Sequence, residues 1–143
     1  MKKLFAVVPM FATLALGGPV LAQDGPGASV HAAYALKVDA PPAKKGQQAV
    51  AKIKITPGAG FHINKEYPTS LALHPPAGVT VAKAKLGAKD AARWEEKGGE
   101  FDVSYTAKHP GKQVVTGELK FAVCSVNSCN PQTSTVSFEI DVK

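Results

Sequence analysis

The chain reads as an all-β protein, an antiparallel β-sandwich of about seven to nine short strands, and three observations predict it. Apolar and polar residues alternate in several segments, turns rich in proline and glycine punctuate them, and no segment carries a long helical period. No internal repeat or second domain is evident.

The first segment is not part of that pattern. Lys2 and Lys3 precede an apolar run from Leu4 to Leu16, followed by a Gly-Gly-Pro break and Val20-Leu21-Ala22. This order is that of a secretory signal peptide cleaved after Ala22, and a run interrupted by Pro9 and Gly17 is a poor membrane span. No cysteine follows the cleavage position, which argues against a lipid anchor. The 143 residues less the 22 of residues 1–22 leave 121, enough for one domain with a real core. The 17 basic residues less the two signal lysines give 15 against 11 acidic ones, a net charge of +4. The lysines are spread along the chain and no basic stripe is interleaved with aromatics, so nucleic acid is not an expected partner. A periplasmic or secreted product is expected.

Residues 23–29 are Gly/Pro-rich and read as a flexible N-terminal arm, with the domain proper over 30–143. Val30 to Val38 fits a strand or a short helix equally well. Ala49 to Ile55 alternates clearly, and Pro57-Gly58-Ala59-Gly60 is a turn. Strands are expected at Ser70 to His74 and Val79 to Ala84, and Lys85 to Gly99, with the sole tryptophan Trp94, as a helical turn or long loop. Phe101, Val103 and Tyr105 mark another strand before the turn at His109-Pro110-Gly111.

The last part of the chain carries the chemistry. Leu119, Phe121 and Val123 point one way in the strand before Cys124, and Val136, Phe138, Ile140 and Val142 do so in the strand after Cys129. Ser125, Asn127, Ser128, Asn130 and Pro131 are turn formers, which places both cysteines at the tip or shoulder of a strand-loop-strand unit. In an oxidising compartment two cysteines most often form one disulfide. Closing so short a loop removes little chain entropy, on the order of 2 kcal/mol. The pair is therefore either a structural staple or a redox-active site. In the redox reading Cys129, in the turn, is the exposed attacking sulfur, and Cys124 ends a buried-facing strand. Acid-base help or shielding would come from elsewhere, with His62, Glu66, Tyr67 and Trp94 as candidates. Four histidines, His31, His62, His74 and His109, raise copper as a third option. Both methionines lie in the signal, which excludes a blue-copper site with axial Met, and no metal ligand set or cofactor is expected.

Several segments in this order resemble a known family. They are the alternating strand Ala49 to Ile55, Gly60-Phe61-His62-Ile63-Asn64, the strand and Pro-Gly-Val turn from Leu71 to Val81, and Phe121-Ala122-Val123-Cys124 to Cys129-Asn130-Pro131-Gln132-Thr133. Together they are similar to the N-terminal periplasmic domain of DsbD-type thiol:disulfide interchange proteins, the disulfide bond corrector family, over most of residues 30–142. The resemblance implies an immunoglobulin-like sandwich that passes electrons between a membrane-embedded reductant carrier and thioredoxin-like periplasmic partners, an activity of protein-disulfide reductase type. It implies Cys124 and Cys129 as the redox pair, with Phe61 and His62 as its neighbours. It also implies a cap loop, for which Ala88 to Gly99, including Trp94, is the comparable stretch. Four residues separate the cysteines here against five in the family, and the sequence stops at Lys143, so a stand-alone domain is expected. The alternative reading is a non-enzymatic immunoglobulin-like binding or structural module with a loop-shaping disulfide.

Overall fold

The computed structural model describes residues 28–143, with side chains from His31 onward. The expected signal peptide and most of the N-terminal arm lie outside the described residues. Eleven strands are present among these residues: β1 (Ala28–His31), β2 (Tyr34–Asp39), β3 (Gln48–Pro57), β4 (His62–Ile63), β5 (Ser70–His74), β6 (Val79–Val81), β7 (Lys85–Gly87), β8 (Arg93–Glu95), β9 (Gly98–Ala107), β10 (Gly111–Cys124) and β11 (Cys129–Val142). A single 3₁₀ turn, Ala88–Asp90, interrupts them.

The strands form two antiparallel sheets. Sheet 1 runs β1-β2-β3-β9-β6, with β8 also paired to β9; sheet 2 runs β11-β10-β5-β7, with β4 also paired to β10. In chain order β2, β3, β5, β6, β9, β10 and β11 take the places of strands A to G of an immunoglobulin domain. They give A-B-E-D in one sheet and G-F-C in the other, the seven-strand immunoglobulin order. The remaining strands are short additions at edges and corners. After β2 the chain crosses to the second sheet, where Ala43 pairs in parallel with Val142 at the end of β11. The inter-sheet disulfide familiar from antibody domains has no counterpart, because both cysteines lie at the β10–β11 turn.

The alternation in sequence becomes the inside and outside of this sandwich. Ala51, Ile53 and Ile55 of β3, Phe101, Val103 and Tyr105 of β9, Val115, Leu119 and Phe121 of β10, and Val136, Phe138 and Ile140 of β11 turn inward and are buried. Their partners face water, where Lys52 of β3 bridges Glu100 and Asp102 of β9 at 2.8 and 3.0 Å. Ser134 keeps the alternation of β11 and points inward, a polar side chain on the apolar face. Its hydroxyl hydrogen-bonds that of Tyr34, so a buried polar pair links β2 of one sheet to β11 of the other. The Tyr34 ring also meets Phe121 edge-on at 4.9 Å. Gly117 sits where a Cβ would come within 2.6 Å of the Ala72 carbonyl oxygen, so its bare backbone lets β5 lie close against the middle of β10.

Three local expectations change. The ambiguous stretch Val30 to Val38 is two strands, β1 and β2, hinged at Ala32 and Ala33. The stretch Lys85 to Gly99 is not a long loop: it holds one helical turn, the 3₁₀ turn Ala88–Asp90, between β7 and β8, which folds back on β9. Its polar composition reflects exposure of edge strands, which hides strand periodicity. Asn130 and Pro131 belong to β11 rather than to the turn. Because β11 is an edge strand, the missing N–H of Pro131 is tolerated there.

Candidate functional site

The site is the end of the β10–β11 hairpin. These strands pair over their whole length, from Gly111 opposite Val142 to Cys124 opposite Cys129. Ser125 to Ser128 then make the reversal: the Ser125 N–H donates to the Ser128 carbonyl at 2.7 Å. The Ser125 hydroxyl accepts from the N–H groups of Asn127 and Ser128 at 3.3 and 3.2 Å. This side-chain turn explains why serine suits position 125. Since Ser125 and Ser128 share that backbone hydrogen bond, the next pair outward, Cys124 and Cys129, is a non-hydrogen-bonded pair, the kind whose side chains approach most closely. The two sulfurs are joined in a disulfide across five positions of sequence.

The two cysteines differ in exposure. Cys124 is 3% exposed, whereas Cys129 is exposed on the edge strand and Val126, at the tip, is 96% exposed. Alternation of burial ceases at the end of β10, where Phe121, Ala122, Val123 and Cys124 are all buried.

Strand β4 flanks that end of β10 within the same sheet. It pairs with β10 on the side away from β11, with Ile63 opposite Val123 and His62 opposite Cys124. Ile63 and Val123 are wholly buried and fix the register through the core. The Asn64 N–H extends the pairing with a 2.9 Å hydrogen bond to the Ala122 carbonyl, and the Asn64 side chain accepts from the Glu66 N–H. His62, Cys124 and Cys129 therefore form one row across three strands, and directly paired residues share a face. His62 itself is exposed.

The other residues singled out from sequence lie differently. Phe61 is half-buried and packs against the core, on the side of Ile63 rather than that of the cysteine row. Trp94 lies on β8, where its ring rests on Gly99: a Cβ there would meet Trp94 Cζ3 at 2.4 Å, so glycine is required. The ring also meets Phe101 at 5.5 Å, and its buried Nε1 has no hydrogen-bond partner. The β8–β9 turn reaches the site through its backbone, since the Glu96 carbonyl accepts from the Ile63 N–H at 2.8 Å. Glu66 is exposed and Tyr67 half-buried in the turn after β4. The Trp94 hairpin thus braces β4, which in turn lies against Cys124. The family resemblance implies His62 as a neighbour of the pair; its place, opposite Cys124 on a strand about sixty residues away, is set by the register.

Among the described residues no group of three or more His, Cys, Asp or Glu side chains is placed to hold a metal ion. Also among them, no helix is long and apolar enough to cross a membrane. What the row can do chemically is present one sulfur of a disulfide to solvent, keep the other buried, and set an imidazole beside the buried one.

No protein-family model and no curated protein matches the sequence. Among solved structures, domains 4 and 5 of the S-layer protein SbsC are similar at 17% identity and a TM-score of 0.41, over 75% of this chain and 50% of that one, so the chain spans half the length of that fragment. AggA, the major subunit of aggregative adherence fimbriae type I from Escherichia coli, is similar at 11% identity and a TM-score of 0.38, over 77% and 95%. The ASH/PapD-like domain 7 of human CEP192 is similar at 10% identity and a TM-score of 0.29, over 92% and 99%. At these levels the neighbours carry no functional argument, and the immunoglobulin-like assignment rests on the strand order.

Proposed function

We propose that this is an exported thiol-disulfide exchange domain that carries electrons through the Cys124/Cys129 pair between a membrane-embedded thiol reductant carrier and thioredoxin-like partners. The observation that carries the reading is the asymmetry of a disulfide that closes a tight turn: Cys129 is exposed and Cys124 is buried beside it. The bond closes a loop of only five positions of sequence, so a structural staple gains little here. Exchange needs what the hairpin end offers, access for an incoming thiolate to one sulfur and a defined leaving sulfur.

In the forward step a partner thiolate attacks Cys129 Sγ, the Cys124–Cys129 bond breaks, and Cys124 leaves as a thiolate. A second partner thiolate then attacks the partner's sulfur in the mixed disulfide, which releases Cys129 as a thiolate. Two electrons have entered the domain, and both thiolates take protons from solvent. The reverse sequence delivers the electrons to an oxidised partner.

The reduction potential tests the proposal. Exchange predicts a value above about −300 mV, whereas a lower one marks a structural bond and rejects the carrier. Replacing Cys124 with Ala leaves Cys129 able to accumulate mixed disulfides with exported proteins, and a variant that stays a clean monomer on non-reducing gels counts against exchange. One observation favours the second reading, a binding module with a loop-shaping disulfide. Val126, 96% exposed at the hairpin tip, is apolar surface that a partner would remove from water.

A further inference from the structure

We infer that His62 is the acid-base partner of Cys124: its protonated imidazole stabilises the Cys124 thiolate as that sulfur leaves, and so directs attack to Cys129. The inference rests on the exchange reading above and adds a residue and a direction to it.

The register places His62 directly opposite Cys124 on β4, and Cys129 directly opposite Cys124 on β11. Directly opposed residues of antiparallel strands have Cβ atoms about 5 Å apart on one face, within reach of an imidazole and a thiolate. Cys124, 3% exposed, has little access to water, so a thiolate formed there depends on its neighbours for stabilisation. Among the described residues no ion pair uses the imidazole.

The other charged groups on the elements packed around it are few. On β10 they are Lys120 and Glu118, which pair with each other at 3.0 Å, and Lys112, which pairs with Glu139 at the far end of the strand. The turn after β4 carries Lys65 and Glu66, β8 carries Arg93 and Glu95, and the β8–β9 turn carries Glu96 and Lys97, all exposed. On β11 the residues opposite Ala122 and Lys120 are Pro131 and Thr133, both uncharged. His62 is thus the one titratable side chain in the cysteine row itself.

The chemistry follows from thiol exchange. The sulfur whose thiolate is better stabilised leaves faster. An imidazolium beside Cys124 makes it the leaving sulfur, and burial keeps it from being the attacked one, so both effects select Cys129 for the mixed disulfide. As the S–S bond breaks, its electron pair goes to Cys124 Sγ. The imidazolium then either holds that thiolate or gives it a proton, leaving neutral His62 and a Cys124 thiol. In the reverse direction neutral His62 takes that proton back before Cys124 attacks the mixed disulfide and closes the bond.

The test uses the whole mature chain as wild type, H62Q and H62K. Ultraviolet absorbance follows thiolate formation in the reduced proteins across the pH range, and dithiothreitol reduces the oxidised proteins under pseudo-first-order conditions. The expected result is that H62Q ionises Cys124 at higher pH and is reduced more slowly, by about threefold for each pKa unit gained. H62K, which keeps a cation, retains both wild-type values, a rescue that a purely structural role does not give. Because His62 is exposed, thermal melts of all three should coincide. Equal titrations and rates in wild type and H62Q, with reduction proceeding in both, overturn the role of His62 and leave exchange standing. Resistance of wild type and both variants to dithiothreitol overturns exchange, and this inference with it.

Discussion

Reduction of the Cys124–Cys129 bond should cost the domain little stability. The ring it closes runs from residue 124 to 129, six residues. For a ring that size the lost loop-closure entropy is about 7 cal/mol/K, or about 2 kcal/mol at room temperature. This is an upper value, because any hairpin structure that persists in the unfolded chain already restricts the same loop. For a domain of this length the corresponding fall in melting temperature is at most roughly 8 °C. By linkage, about 2 kcal/mol makes the disulfide about 45 mV harder to reduce in the folded chain than in the unfolded one, a small bias that leaves it open to exchange. Urea unfolding with and without a phosphine reductant measures the difference directly. Phe121→Ala is a calibrating control: that side chain is fully buried three residues away, and its removal should cost about 3 to 5 kcal/mol. If reduction alone costs as much as that truncation, or unfolds the protein, the bond is a staple and the reasoning from its position fails.

Other expectations follow from the packing. Tyr34→Phe strands the buried Ser134 hydroxyl and should destabilise by about 1 to 3 kcal/mol, and adding Ser134→Ala should recover part of that loss. Chemical denaturation of the single and double variants gives the cycle, and strictly additive losses count against a coupled pair. Gly99→Ala drives a methyl group into the Trp94 ring, so the tryptophan emission should shift to longer wavelength and stability should fall by about 1 to 3 kcal/mol. An unchanged spectrum would show that the ring does not lie on Gly99. Asp90 accepts a hydrogen bond from the Gly87 N–H and pairs with Lys83 at 2.5 Å, which hold its carboxyl below the ordinary 3.8. Its contribution to the 3₁₀ turn is therefore complete above that value and is lost as pH falls through the lower folded one. Amide exchange around residues 87–91 should quicken over that acid range in wild type and be quick at all pH values in D90N.

How far the site could be read from sequence differs between its parts. The hairpin was legible because both halves alternate over most of their length and the turn between them holds two serines and an asparagine, whose side chains close turns locally. The unequal cysteines were partly legible, since Cys124 follows an apolar run, although the burial of Ala122 and Cys124 on the opposite face from Val123 arises only in the folded chain. The stretch from Lys85 to Gly99 was opaque. Strands of three residues on an edge carry too few positions for a period to show, and Trp94 owes its place to Gly99. Ser134 was also unreadable, because a buried hydroxyl is explained only by its distant partner Tyr34.

The sequence by itself determined the class of fold, the positions of the main strands and the location of the cysteine pair at a hairpin end. These follow from local chemistry: side-chain alternation with period two, turn-forming residues, and the proximity of two thiols in one short loop. Only the tertiary structure decided which strand lies on the far side of β10. The register of β4 is set where Ile63 and Val123 meet in the core, and that choice places His62 opposite Cys124. Such a pairing joins residues far apart in the chain through burial they share, and nothing in either segment alone specifies it.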